Sequence, residues 1–98
     1  MSYKLIIRPE AEIDIKEAFR WYELRKSGLG KDFILRVDVC LAAIQRNPYA
    51  YPVKHKEIRK ALLHRFPYGV FYLVEANDVA VIAVFHAKRD PQIWQDRI

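Results

Sequence analysis

The sequence holds a single cysteine, Cys40, so an intramolecular disulfide is impossible and a reducing compartment suits the chain. Glycine is scarce at three residues and proline limited to five, while 52% of the chain is hydrophobic, which excludes a disordered or fibrous polypeptide. Long apolar runs are missing. The longest, Val79 to Phe85, has seven residues, where a membrane-spanning helix needs about 20. The amino-terminal apolar stretch is Leu5 to Ile7, short of the roughly 7 to 15 residues of a signal-peptide core. No repeat is visible, the three histidines lack carboxylate or cysteine companions at metal-ligand spacing, and no Gly-rich phosphate loop follows a strand. These absences lead us to expect a cytoplasmic protein with no membrane partner and with neither a metal nor another cofactor. Residues 1–98 are expected to form one domain, since a chain of this length buries roughly 65% of its unfolded surface and cannot support two cores.

What is present is concentrated. Residues 1–53 carry nine basic and seven acidic side chains, and residues 66–98 carry three and four. Between them, Lys54, Lys56, Arg59, Lys60 and Arg65 face Glu57 alone, so one short window supplies +4 of the net charge of +5. His55 and His64 add to it at lower pH. Such a window favours an anionic partner, whether nucleic acid, nucleotide or acidic protein.

Hydrophobic periodicity sets out the elements. Tyr3 to Arg8 is expected as a first strand that Pro9 stops. From Glu10 to Arg25, Ala11, Ile15, Ala18 and Tyr22 recur at helical spacing with Phe19 beside them, and Ser27-Gly28-Leu29-Gly30 then breaks the helix. The short break predicts an antiparallel second helix from about Lys31 to Arg46, with Phe33, Val37, Cys40 and Ile44 on its stripe, Ile34 and Leu41 widening it, and Asn47-Pro48 ending it. Cys40 is thereby a small core residue rather than a nucleophile. After a loop, strands are expected at Glu57 to His64, Tyr68 to Glu75 and Val79 to His86, the last two joined by a hairpin at Ala76-Asn77-Asp78. Asp90-Pro91 predicts an N-cap and a short terminal helix carrying Ile93 and Trp94. The fold class is therefore α+β: a strand, a helix hairpin, a three-stranded antiparallel meander and a short helix, with the hairpin on one face of the sheet.

The third and fourth strands break the alternation of a half-wet sheet. Tyr68, Val70, Tyr72 and Val74 oppose Phe71 and Leu73; Val79, Val81, Ala83 and Phe85 oppose Ala80, Ile82, Val84 and His86. Both faces are apolar, and two helices of about 24 Å cover only one of them. The other face is expected to be capped by the terminal helix, a second protein or a ligand.

The ordered fragments Glu12-Ile-Asp14-Ile-Lys-Glu17-Ala18, Trp21-Tyr22-Glu23, Gly28-Leu-Gly30, Phe33, Asn47-Pro48, Tyr51-Pro52, Ile58-Arg59, Arg65-Phe66-Pro67-Tyr68 and His86-Ala-Lys-Arg89-Asp90-Pro91 resemble the RelE/ParE superfamily of bacterial toxins over nearly the whole chain. The resemblance implies the toxin of a type II toxin–antitoxin pair, which inhibits growth when free and is neutralised in an oligomer with its cognate antitoxin. Acidic antitoxin segments would suit Lys54, Lys56 and Arg59, with Tyr68, Phe71 and Tyr72 as apolar contacts. For a RelE-like, ribosome-dependent mRNA endonuclease the resemblance points to Lys60, Arg65, His86 and Arg89 as catalytic candidates, cationic groups for the scissile phosphate and a histidine for proton transfer. That set is incomplete here. Gly69 stands where an arginine is expected, and Trp94 stands near the end of the chain, where a tyrosine would exchange a proton. ParE-like members instead act on DNA gyrase and need no such set, so the sequence is nearer to them, with Arg59, Arg65, Arg89 and Trp94 as candidate target contacts. A third possibility is a non-toxic binding module on the same fold.

Overall fold

The computed structural model describes residues 3–97. β1 (Lys4–Ile7) leads into α1 (Pro9–Arg25), with Pro9 in the first turn, where its missing N–H costs no hydrogen bond. α2 (Leu29–Arg46) follows antiparallel to α1. It starts two residues before the expected Lys31 because Glu23 reaches back from α1: its carboxylate oxygens accept the N–H groups of Gly28 at 3.0 Å and Gly30 at 2.9 Å. These are donors that a helix start would otherwise leave unpaired. Gly28 holds φ +90°, and a Cβ at Gly30 would lie 2.8 Å from the Phe19 ring, so the tight crossing of the two helices depends on both glycines.

A single 3₁₀ turn at Pro48–Ala50 precedes β2 (Val53–His55), β3 (Ile58–Leu62), β4 (Tyr68–Glu75) and β5 (Asp78–His86), and α3 (Pro91–Gln95) ends the fold. The expected second strand, Glu57 to His64, is β3, trimmed at both ends, and β2 before it is a strand that the sequence reading did not assign. Lys56, at φ +50°, turns the chain so that Val53 pairs with Arg59 and His55 with Ile58. The β4–β5 connection is tighter than expected. Glu75 pairs with Asp78, leaving Ala76, at φ +55°, and Asn77 as the turn. The five strands lie in the order β1-β5-β4-β3-β2, with β1 parallel to β5 and every other pair antiparallel.

The hairpin packs on the face carrying Val70, Tyr72, Val79, Val81 and Val84, and the expected stripe of α2 is buried there, with Phe33 and Ile44 wholly enclosed. Tyr22, Phe33 and Phe66 form an aromatic cluster with centroid separations of 4.9–5.4 Å. Each such pair adds about 1 kcal/mol beyond its buried area. Cys40 is in this core, and burial pushes its thiol up to about 11.

β5 does not alternate as expected. Phe71 pairs with Ala83 and Tyr72 with Val81, so Ile82 is an extra residue, a bulge that switches parity. Val84 therefore joins the helix side, while Ile82, Ala83 and Phe85 all belong to the opposite face. That second face is capped from within. Trp94 of α3 stacks on Phe71 at 4.2 Å, burying a second cluster of Ile58, Phe71, Ile82, Ala83 and Phe85. Of the three expected covers, the terminal helix is the one observed.

Candidate functional site

The bulge is held by a charged pair that joins the two ends of the fold. Asp14 of α1, buried at 6% exposure, accepts the Val84 N–H at 3.0 Å and receives Arg97 in a two-pronged bridge at 2.6 and 3.1 Å. Arg97 also donates to the Ile82 carbonyl at 3.0 Å. The pair thus satisfies backbone groups of β5 and ties down the segment after α3.

β5 ends at His86 between two cavities. One, of about 330 Å³, lies toward α1 and is walled by Glu17, Trp21, Tyr22, Tyr68, His86 and Arg89. The Tyr68 ring meets His86 edge-on at 5.3 Å. Burial first, and Tyr22 second, raise the Tyr68 hydroxyl above its ordinary range, while Arg89 works in the opposite direction. The hydroxyl therefore keeps its proton at neutral pH. The other cavity, of about 150 Å³, lies on the second sheet face among Lys54, Lys60, Phe71, His86, Arg89 and Trp94.

The structure sorts the candidate residues. Lys60, His86 and Arg89 come together around the smaller cavity, and Lys54 joins them. Arg65 does not; it is exposed at φ +74° in the turn after β3. Of the candidate target contacts, Arg59 is also apart from Arg89: it lies on the helix side opposite Tyr72 and donates to the Tyr51 carbonyl at 2.6 Å. Lys56 is exposed at the β2–β3 turn. Tyr72 has no exposed surface and gives its hydroxyl to the Pro48 carbonyl at 2.7 Å, so it is out of a partner's reach. Phe71 and Trp94, at 4% and 6% exposure, are spent on each other. Tyr68 is half-buried in the larger cavity.

Two details limit the chemistry. The Lys88 backbone N–H donates to Nδ1 of His86 at 3.0 Å, so that nitrogen's lone pair is occupied and the neutral ring presents a proton at Nε2. Arg89 lies over the Phe85 ring, 4.3 Å from its centroid, which sets the direction of its guanidinium. Gly69 also gains a role: a Cβ there would stand 2.8 Å from the Lys60 stem, so the missing side chain is the bed on which Lys60 lies. Sequence reasoning did not assign Glu17, Trp21 and Tyr22 to a site. Their signals were their place in the fragments that carry the resemblance and the unusual Trp-Tyr pair on a helix whose stripe needs one of the two.

The comparisons with known proteins agree with this architecture. The family model described as the ParE toxin of the type II toxin-antitoxin system, parDE, matches residues 5–91. The chain belongs to the ParE toxin family. A solved structure described as the chromosomal ParDE TA system from P. aeruginosa superposes with a TM-score of 0.78 at 12% identity, covering 86% of this chain and 95% of that one. At that identity the likeness establishes a shared fold. No curated protein sequence matches the chain significantly. The family span takes in the larger cavity and Arg89 but stops at Pro91, so most of α3, with the Trp94 wall of the smaller cavity, and Arg97 lie beyond it.

Proposed function

We propose that this ParE family member is the growth-inhibiting half of a type II toxin–antitoxin pair, that it acts by binding DNA gyrase rather than by cutting RNA, and that a cognate antitoxin silences it by direct contact. The observation that carries the choice of binding over cleavage is the state of His86. Of the four nuclease candidates it is the one imidazole, the side-chain type suited to proton exchange, and its Nδ1 acceptor is already engaged by Lys88. A base must offer a free lone pair to the proton it removes. Arg65 stands apart from the smaller cavity and Gly69 contributes no side chain, which further reduces the set. A second reading, the RelE-like endonuclease, draws on the convergence of Lys60, His86 and Arg89 around one cavity.

Induction of the chain in cells, followed by radiolabel incorporation into DNA and into protein, separates the two. The expected result is early arrest of DNA synthesis with gyrase trapped on DNA, unchanged in His86→Ala and weakened in Arg89→Ala. Early arrest of translation with cleaved ribosomal mRNA, lost in His86→Ala, would overturn the binding reading in favour of the nuclease. No growth defect in a folded, expressed chain would reduce it to a binding module.

A further inference from the structure

The larger cavity, of about 330 Å³, holds opposite charges that do not meet. Glu17 on α1 and Arg89 beyond β5 both line it. Among the described residues the ion pairs are Arg8 with Glu75 and Arg97 with Asp14, so neither Glu17 nor Arg89 is in one. Asp14, the other carboxylate of this cavity, is occupied by Arg97 and the Val84 N–H. What is left open is one anion and one cation across a single space.

Two further features point into the same space. Tyr22 is nine-tenths buried, at 9% exposure, with its ring in the core, yet its hydroxyl makes no hydrogen bond among the described residues. No buried side-chain oxygen lacks a partner there, so this hydroxyl opens on the cavity. A polar group carried that deep and left open is ready to meet a ligand. Besides burial, Tyr22 and Arg89 both act on the Tyr68 hydroxyl, so the polar ends of the three converge. Trp21 lines the cavity one helical turn beyond Glu17; it is 49% exposed, and Arg25 lies over its ring at 4.0 Å and fixes its direction.

We propose that this cavity is a binding site for a free aromatic α-amino acid. Its ammonium group lies on Glu17, its carboxylate on Arg89 with the Tyr22 and Tyr68 hydroxyls donating to it, and its ring on Trp21. The volume is at the small end for ligand sites, roughly 300–1,000 Å³, and suits a single metabolite. A nucleic-acid strand fits less well, since a strand needs a line of cations, while this cavity has one arginine, an open carboxylate that repels phosphate, and none of the basic residues from Lys54 to Arg65. A residue inside a protein chain fits less well too, because its amino and carboxyl groups are consumed in uncharged peptide bonds. The proposal stands apart from the toxin reading, which neither requires nor excludes such a ligand.

The test is a calorimetric titration of the intact chain with three probes: L-tryptophan, tryptamine, which lacks the carboxylate, and indole-3-propionate, which lacks the ammonium group. L-Tryptophan is expected to bind best, with each of the others weaker by about tenfold, since each loses a charge-assisted hydrogen bond. Glu17→Gln should weaken L-tryptophan about tenfold without weakening indole-3-propionate, and Arg89→Gln should weaken L-tryptophan about tenfold without weakening tryptamine. Lys54→Gln, outside this cavity, should leave all three unchanged. Glu17, Arg89 and Lys54 are all exposed, so these variants keep the fold. Tyr22→Phe, which keeps the core ring and removes the open hydroxyl, should lower the affinity for L-tryptophan severalfold and leave the urea unfolding midpoint in place. No binding of L-tryptophan at millimolar concentration would overturn the proposal. So would tryptamine or indole-3-propionate binding as tightly as the amino acid, or equal affinity for L-tryptophan in wild type and Glu17→Gln.

Discussion

At the residue scale, burial has consequences that pH can reveal. The Cys40 thiol rises from 9.0 to about 11, and the Tyr72 hydroxyl from 10.0 to about 12, both chiefly because burial disfavours the charged form. A raised value means that the folded state holds its proton more tightly than the unfolded chain. Stability is therefore complete below about pH 9 and is lost as pH climbs toward 11, by about 2–3 kcal/mol for Cys40, since each tenfold gain in proton affinity is worth about 1.4 kcal/mol. Urea unfolding midpoints across that range should show the decline, and Cys40→Ala should remove the part that begins near pH 9. A decline unaltered by Cys40→Ala would show the thiol to be uninvolved. Cys40 was legible as core from its place on the α2 stripe, whereas Asp14 was not. It sits three residues after Ala11 and four before Ala18, on the buried side of α1, but its partner Arg97 is 83 residues away and no local pattern connects them.

At the scale of elements, α3 has five residues and is held from three directions: the Asp90 cap, with Oδ1 accepting the Gln92 N–H at 3.0 Å, the Trp94–Phe71 stack, and Arg97 on Asp14. Trp94→Ala should cost about 3 kcal/mol, near the low end for a buried aromatic, because an edge site can partly collapse. Arg97→Ala should cost about 3 kcal/mol by leaving Asp14 buried without its cation. Combined, the two should cost less than their sum, since both release the same segment; strict additivity in chemical unfolding would show that the stack and the bridge act separately. The helix hairpin, β4 and α3 could be read from periodicity and capping residues. β2 could not, because Val53-Lys54-His55 offers one apolar residue to a strand template, and the boundary with β3 depends on a lysine at positive φ. The β5 bulge was equally hidden, because in a run apolar on both faces a parity switch leaves no mark in the sequence. It shows in the β4–β5 register and in the backbone groups that Asp14 and Arg97 satisfy.

For the whole molecule, the charge window that stood out in the sequence does not become one surface. The β2–β3 turn divides it, with Lys54 and Lys60 on the second face, Arg59 on the helix side and Arg65 in a separate turn. The cations that do gather are joined by Arg89, which the sequence placed after the last strand but could not aim. The uncovered apolar face, the reason to expect a partner, is mostly roofed by Trp94. What stays open is the cavity among Lys54, Lys60 and Arg89 and the cavity beneath α1. On the proposed reading, the engaged Nδ1 of His86 favours holding a target over breaking its bonds. The most direct measurement is a supercoiling assay with purified DNA gyrase and the purified chain. Dose-dependent inhibition with accumulation of the gyrase–DNA cleavage complex, equal for wild type and His86→Ala, is the expected result; untouched supercoiling alongside His86-dependent cleavage of ribosome-bound mRNA would contradict it.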